Sequence, residues 1–456
     1  MKRKWIIIAI MICMAAGVLF VPEREEAVHK VAHQHMIWPA ESEKTQGFDE
    51  NGVLTSHLPI VIIKTYGKEI PGSTLSERGK VTCKLKVINN DNGVNRSDDE
   101  PELKHKIAIS IRGNSSRRFP KKQYGFKFVD ESGSGEAVEL LGMPKDTTWV
   151  LNGSYIDHSL IRNYMLYNIS AEIMDYAPRC RLCEVMMEDE DGVRTYEGVY
   201  TLIEKIKVGE NRLALDEYDS SYEETPFMLQ MNSHIDTYKI NHLKPDDIST
   251  YAYDLEYPDI YDLTKDSLDY IENEILEVEK AFYDADFTND WSKVEEKIDI
   301  DTFVDYYLIN EFFQNYDAGM RSTYSYKNLG GKFSIGPVWD FDGTFNNFSH
   351  KDLSVSYLGL KQTFYFYYLS QDPHFVEKCN IRYKELRDTV FSEKYLLDYI
   401  DDTSAYLGNA VSRNNDRWYG GHNTQYYDEL EEMKEFVKKR GAWMDEYFQY
   451  ASKVVN

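Results

Sequence analysis

Two aspartates one residue apart, Asp340 and Asp342, stand in the otherwise apolar stretch GPVWDFDGTF at residues 336–345. A carboxylate among apolar neighbours costs free energy unless it is paired, hydrogen-bonded or bound to a cation. The segment therefore reads as a surface turn or a metal site, and the flanking Trp339, Phe341 and Phe345 argue against full exposure. If the chain after Pro337 is extended, both carboxylates point to one side, because side chains of a strand repeat every two residues. A third acid, Asp317, lies upstream in NYDAG. Between them STYSYK and KFSIG flank NLGG, a hairpin signature with its turn at residues 328–331. A hairpin returns the chain to its starting point, so Asp317 should meet Asp340. Mg²⁺ is usually held by one or two carboxylates plus substrate phosphates, and another carboxylate can take a proton from an attacking hydroxyl. Three converging acids suit phosphoryl transfer.

A second stretch points the same way. IAISIRGNSSRRFPKKQYGFKF carries Arg112, Arg117, Arg118, Lys121, Lys122 and Lys127, a basic island in an acidic chain. Its RGNSS loop supplies a glycine, small hydroxyls and free backbone amides between two strands, the parts of a phosphate-covering loop, with Lys127 available to neutralise charge. The plainer reading is a set of basic strand residues that guard against edge-to-edge aggregation. Cysteines add little. The CxxC of CRLC, Cys180 and Cys183, lies in what reads as two strands around an Asp-Gly turn, with no second pair to complete a zinc set, so these thiols read as structural.

The elements that must position these residues fall into two halves. From LPIVIIKT to TLIEKIKV the chain is strand-like, with one helical insert, DHSLIRNYMLYNISAEIM, for which Asp157 is the expected N-cap. After about residue 260, DSLDYIENEILEVEKAFYD, IDTFVDYYLINEFFQNY, HFVEKCNIRYKELRDTVF and YDELEEMKEFVKKRGAWMDEYFQY read as amphipathic helices, interrupted by the strand pair near residues 323–335. In the second of these, Phe303, Val304, Tyr307, Leu308 and Phe312 make one buried face, and the helix should end near Asp317. The layout is α+β, with a β-rich part at residues 55–215, a helical part at residues 260–456 and a cleft expected between them.

With 456 residues, 42% hydrophobic and 14% aromatic, the chain can fill a sizeable core. Lys and Arg number 52 against 77 Asp and Glu, a formal charge of -25 that disfavours nucleic acid. The N-terminus, MKRKWIIIAIMICMAAGVLFVPEREE, places basic residues before an apolar run, the pattern of a signal peptide or a single membrane anchor at residues 1–22. No clear small-x-small cleavage site follows, so an uncleaved anchor is expected, then a polar linker at residues 23–54. The remainder is expected outside the cytoplasm, membrane-anchored or secreted.

Six motifs in order, IRGNSSRRFPKKQYGFKF, WVLNGSYIDHSLIRNYMLYNIS, EGVYTLIEKIKVGENRL, LEYPDIYDLT, NYDAGMRSTYSYKN and GPVWDFDGTF, resemble those of the CotH kinase family, the spore coat protein H type. The resemblance runs from about residue 58 to 345. It implies an atypical, bilobal protein-kinase-like fold that uses ATP and Mg²⁺ or Mn²⁺ to phosphorylate serine on coat or cell-surface proteins. By position, Asp317 resembles the catalytic aspartate, Asp340 the metal aspartate with Asp342 beside it, and Lys127 the phosphate-binding strand lysine, with Arg112 in the same basic region. Residues 200–206, which include Glu204, would meet adenine. Protein kinases place an asparagine five residues after the catalytic aspartate, where this chain has Ser322. The alternatives are a non-catalytic surface or spore-coat scaffold that keeps the fold, and a metal-dependent hydrolase using the same acids without a histidine cluster.

Overall fold

The computed structural model describes residues 46–74, 76–77, 79–232, 238–240, 252–347 and 354–454; the expected anchor and the linker up to residue 45 lie outside them. Among the described residues, no helix is long and apolar enough to cross a membrane. Within the stretch read as linker, Gly47–Phe48 pairs with Leu54–Ser56.

The β-branched runs of the N-terminal half close into a seven-stranded barrel. Round its wall run Thr148–Asn152, Arg194–Glu204, Cys180–Glu188, Ile60–Lys64, Val81–Ile88, Leu103–Ile111 and Tyr124–Phe128, the last pairing back onto the first. Neighbours are antiparallel except Ile60–Lys64, which runs parallel to Cys180–Glu188. Alternation sends Tyr124, Phe126 and Phe128 inward with Trp149, Leu151 and Leu202. Trp149 is 1% exposed, and its indole N–H donates to the Asp146 carbonyl at 3.3 Å. Ile60–Lys64 is apolar on both faces because Val61 and Ile63 fill the barrel while Ile60 and Ile62 pack outside with Leu54 and Met186. The sequence predicts the strands of this half but not their closure.

The helical insert spans Arg162–Ala171. Asp157 is not its N-cap: Ile161 holds that position, and Leu160 before it is left-handed at φ 63°. Asp157 still satisfies the helix start, since its carboxylate accepts the Arg162 N–H at 3.1 Å. This helix lies between the outer barrel wall and the helical half, sharing a core with Val150, Ile203, Phe341 and Tyr399.

A five-stranded sheet leads from the barrel to the helices, in the order Lys239–Ile240, Ala252–Tyr257, Phe227–Asn232, Thr323–Lys327 and Ser334–Ile335. The expected hairpin forms its last two strands, with Ser325 opposite Ile335 and the turn closed by the Gly331 N–H on the Asn328 carbonyl at 3.1 Å. Its central strands are short and carry no alternation long enough to read. The helices include Lys265–Thr288, Ile300–Phe312, Pro373–Arg387, Glu393–Leu407, Asn409–Trp418 and Thr424–Val454. Ile300–Phe312 is buried all round rather than on one face, with Tyr306, Ile309 and Glu311 also enclosed. It stops short of Asp317 because Gln314 turns left-handed at φ 49°.

The C-terminal half folds back onto the barrel. Asn409–Trp418 lies along Arg194–Glu204, where Arg413 grips Glu184 with bonds of 2.9 and 2.7 Å and the Trp418 indole donates to the Glu197 carbonyl at 2.9 Å. Gly198 permits this approach, since a Cβ there would stand 2.5 Å from the Asn414 side-chain oxygen.

Candidate functional site

The chain leaves Ile300–Phe312 through turns that carry Asp317, runs out and back along the hairpin, and arrives at Asp340. Asp317 is 30% exposed and pairs with Arg321 at 3.5 Å. Ser322 is left-handed at φ 49°, and its hydroxyl donates to Asp340 Oδ2 at 3.3 Å, so the hairpin brings the two acids together as its topology requires.

The segment after Pro337 is not extended. Asp340 is left-handed at φ 64°, and the turn beyond it is closed by the Thr344 N–H on the Phe341 carbonyl at 3.1 Å. The two-residue alternation expected of Asp340 and Asp342 therefore does not apply, and their carboxylates find different partners. Asp340 turns to Ser322, while Asp342 accepts from the Asn163 side-chain amide.

Burial raises the pKa of all three carboxyls. For Asp317 burial is opposed by Arg321. For Asp340 burial is reinforced by the negative charge of Asp317 and opposed by Arg112 and Ser322. Asp342, 8% exposed, is pushed well above the usual carboxylate range by burial, then by Asp340 and Asp157, against Arg162 and Asn163. Like charges enclosed together favour either a shared proton or a bound cation. Among the described residues, no three His, Cys, Asp or Glu side chains form a cage that could hold an ion. A pair of carboxylates is enough for a cation such as Mg²⁺, which usually keeps water and takes its remaining ligands from phosphates. Asp340 and Asp342 would hold such an ion.

Arg112 reaches this site from the barrel, with its guanidinium 5.5 Å from the Trp339 ring. Lys127 lies on the outer barrel wall, its side chain over Gly135, where an added Cβ would stand 2.4 Å from Lys127 Cε. Glu204 is held elsewhere: its carboxylate accepts from Arg212 at 2.8 Å, from Arg179 at 2.7 Å and from the Arg179 N–H at 3.0 Å. The structure thus gathers Asp317, Asp340, Asp342 and Arg112, while Lys127 stands further along the wall and the Glu204 side chain is occupied by arginines.

The rest of the basic island has other work. Arg117 donates to the Ile111 carbonyl at 2.9 Å and also bonds the Gly72 and Gly113 carbonyls, pinning the RGNSS loop. Lys122 donates to the Arg117 carbonyl at 2.7 Å. Lys121 is fully buried, bonded to the Val199 carbonyl at 2.5 Å and Asn414 Oδ1 at 2.7 Å. Arg117, Lys121 and Lys122 thus serve backbone and side-chain acceptors of the fold. Cys180 and Cys183 are free and buried, as structural thiols should be.

Two site residues escaped the sequence reading. Asn163 bonds Asp342 with its amide nitrogen and accepts the Phe341 N–H at 2.9 Å with its amide oxygen, gripping the WDFD segment at two points. Tyr167, on the same helix, accepts the Asp340 N–H at 3.2 Å. Ser322, read from the sequence only as the residue in place of an asparagine, donates its hydroxyl to Asp340. The one local signal was a polar pair, Arg162 and Asn163, inside the apolar LIRNYMLY run.

No curated protein matches the chain. A family model described as CotH kinase protein matches residues 109–444, most of its length, and covers Arg112, Lys127, Glu204, Asp317, Asp340 and Asp342. On that match the chain belongs to the CotH kinase family.

Proposed function

We propose that this protein is an ATP- and metal-dependent protein serine kinase with a bilobal, kinase-like arrangement, acting on coat or other surface proteins outside the cytoplasm. The observation that carries this reading is the burial of two neighbouring acids, Asp342 under the charge of Asp340, and Asp340 in turn beside Asp317 and Arg112. Mg²⁺ or Mn²⁺, when bound, supplies charge neutralisation of the transferring phosphoryl group. Asp317 orients the acceptor hydroxyl and takes its proton. Arg112 approaches from the barrel side and offers positive charge to the phosphates, and Asn163 and Tyr167 hold the backbone between the two metal-site acids. Lys127 offers a further cation to the phosphates, and the backbone around Glu204 lies where adenine would rest.

The test is radiolabelled phosphate transfer from ATP with Mg²⁺ or Mn²⁺, using wild type, Asp317→Ala and Asp340→Ala. Incorporation that both substitutions abolish supports the kinase. Its absence in wild type, with nucleotide leaving thermal stability unchanged, favours a surface or coat scaffold that retains the fold.

A further inference from the structure

Glu311 and Arg440 form a buried ion pair in the helical half. They are 1% and 0% exposed, and Arg440 Nη2 stands 3.3 Å from Glu311 Oε2. Glu311 lies at the end of Ile300–Phe312, just upstream of Asp317, and Arg440 comes from Thr424–Val454. Burial pushes the Glu311 carboxyl up to about 7, opposed by Arg440 and by the backbone N–H groups of Leu360, Lys361 and Gly359.

The pair holds a strap formed by residues 354–363. Glu311 Oε1 accepts the Leu360 N–H at 2.7 Å and the Lys361 N–H at 3.4 Å, and its Oε2 accepts the Gly359 N–H at 3.1 Å. Arg440 donates to the Tyr357 carbonyl at 3.0 Å and to that of Val355, while the Gln314 amide donates to the Ser354 and Tyr357 carbonyls at 2.8 and 3.1 Å. The strap ends on Thr363, whose side chain presses on Gly319: a Cβ added there would stand 2.7 Å from Thr363 Oγ1. Gly319, left-handed at φ 79°, belongs to the turn that carries Asp317, closed by the Met320 and Arg321 N–H groups on the Asp317 carbonyl at 3.2 and 2.8 Å. Arg440 also reaches the other end of that turn, donating to the Glu311 carbonyl at 2.5 Å. One ion pair thus fastens the Asp317 turn on both sides, directly where the chain leaves the helix and through the strap just beyond the acid.

We propose that Glu311 and Arg440 are positioning residues for Asp317, holding its carboxylate where it meets an acceptor hydroxyl. The catalytic consequence rests on the phosphoryl-transfer reading, whereas the coupling of strap to turn does not. A buried ion pair adds little net stability once its desolvation is counted. Here its bonds go to the backbone on either side of one acid, and a misplacement of about 1 Å at a reacting group costs on the order of 10² in rate. The last helix, far from Asp317 in the chain, becomes part of what sets the acid's aim.

Hydrogen–deuterium exchange, together with steady-state phosphate transfer to dephosphorylated casein, tests the role. The variants are Glu311→Gln, which removes the charge at constant size, Arg440→Lys, which keeps the charge but loses the fork of donors, and Thr363→Ala, which leaves the ion pair and removes the contact with Gly319. Glu311→Gln should speed exchange about tenfold or more at the Gly359, Leu360 and Lys361 amides and also at Gly319, Met320 and Arg321. Arg440→Lys should loosen the same two groups by about threefold or more, and Thr363→Ala only the second. In all three, kcat should fall about tenfold with KM for ATP within about twofold, since Asp317 acts on the acceptor. Faster exchange confined to the strap in Glu311→Gln, or an unchanged kcat beside a loosened Asp317 turn, would overturn the positioning role. Should Glu311→Gln fail to fold, Arg440→Lys decides by the same criteria. No transfer by wild type would sink the kinase reading, and exchange would then decide whether strap and turn are held as one.

Discussion

Glu204 and Asp342 are both buried carboxylates, 0% and 8% exposed, each next in sequence to a residue of the same core, Ile203 and Phe341. Around Glu204 the fold supplies two guanidinium groups, Arg179 and Arg212, and Arg212 also stacks 4.9 Å from the Trp149 ring. Around Asp342 it supplies further acids, Asp340 and Asp157, and a neutral amide, Asn163, while the nearby Arg162 is shared between Asp157 and Glu429. The first cluster is electrically complete and its chemistry is spent on holding the barrel end to the loop beyond it. The second is incomplete by design of its neighbours, and incompleteness in a buried place is what a bound cation resolves. The same residue class thus serves structure where opposite charges meet and a site where like charges do.

Substitutions can break that contrast or sharpen it. The largest effect should come from Asp317→Asn, which keeps size and removes the proton acceptor: phosphate transfer should fall by about 10²–10⁴-fold with nucleotide binding retained, as measured by single-turnover labelling. Arg212→Ala should destabilise the fold by about 3–5 kcal/mol in chemical denaturation, because it leaves Glu204 short of one partner in a buried place. A loss under about 1 kcal/mol would make that cluster dispensable. Asp342→Asn should act in the opposite direction. It removes a like charge while keeping an acceptor for Asn163, so the metal-free protein should gain on the order of 1 kcal/mol at mildly alkaline pH and lose stabilisation by Mg²⁺. A less stable Asp342→Asn variant would show that the pair is not under strain.

The last effect is a pH slope set by Lys121, whose pKa burial lowers to about 7 from its ordinary 10.5. Between those values the unfolded chain carries a proton that the folded chain lacks, so stability rises with pH through that window and the slope vanishes below about 7. Lys121→Met should remove that slope, at most about 1.4 kcal/mol per pH unit, in urea titrations at pH 7 and pH 9. Parallel pH dependence in both proteins would mean that Lys121 stays charged inside.

Much of this was legible in the chain. Helical periodicity marks Lys265–Thr288 and Pro373–Arg387, and NLGG marks the hairpin that joins Asp317 to Asp340, because those signals are local. Barrel closure was not legible, since Ile60–Lys64 finds its parallel partner in Cys180–Glu188, far along the chain and without a turn to announce it. Lys121 read as a surface cation because its acceptors come from Val199 and Asn414, remote in sequence. Asn163 was missed for the same reason, with its partners lying in the WDFD segment. Left-handed Asp340 defeats a strand reading that assumes any residue in an apolar run will extend.

Closure of the barrel also bears on how this protein can keep company with others. A ring of paired strands offers no free backbone edge, and among the described residues the five-stranded sheet ends on both sides in two-residue strands, Lys239–Ile240 and Ser334–Ile335. Strand-by-strand polymerisation needs a long unpaired edge as template. The described residues thereby give another chain little backbone to add to as a strand, and leave side chains as the means of contact.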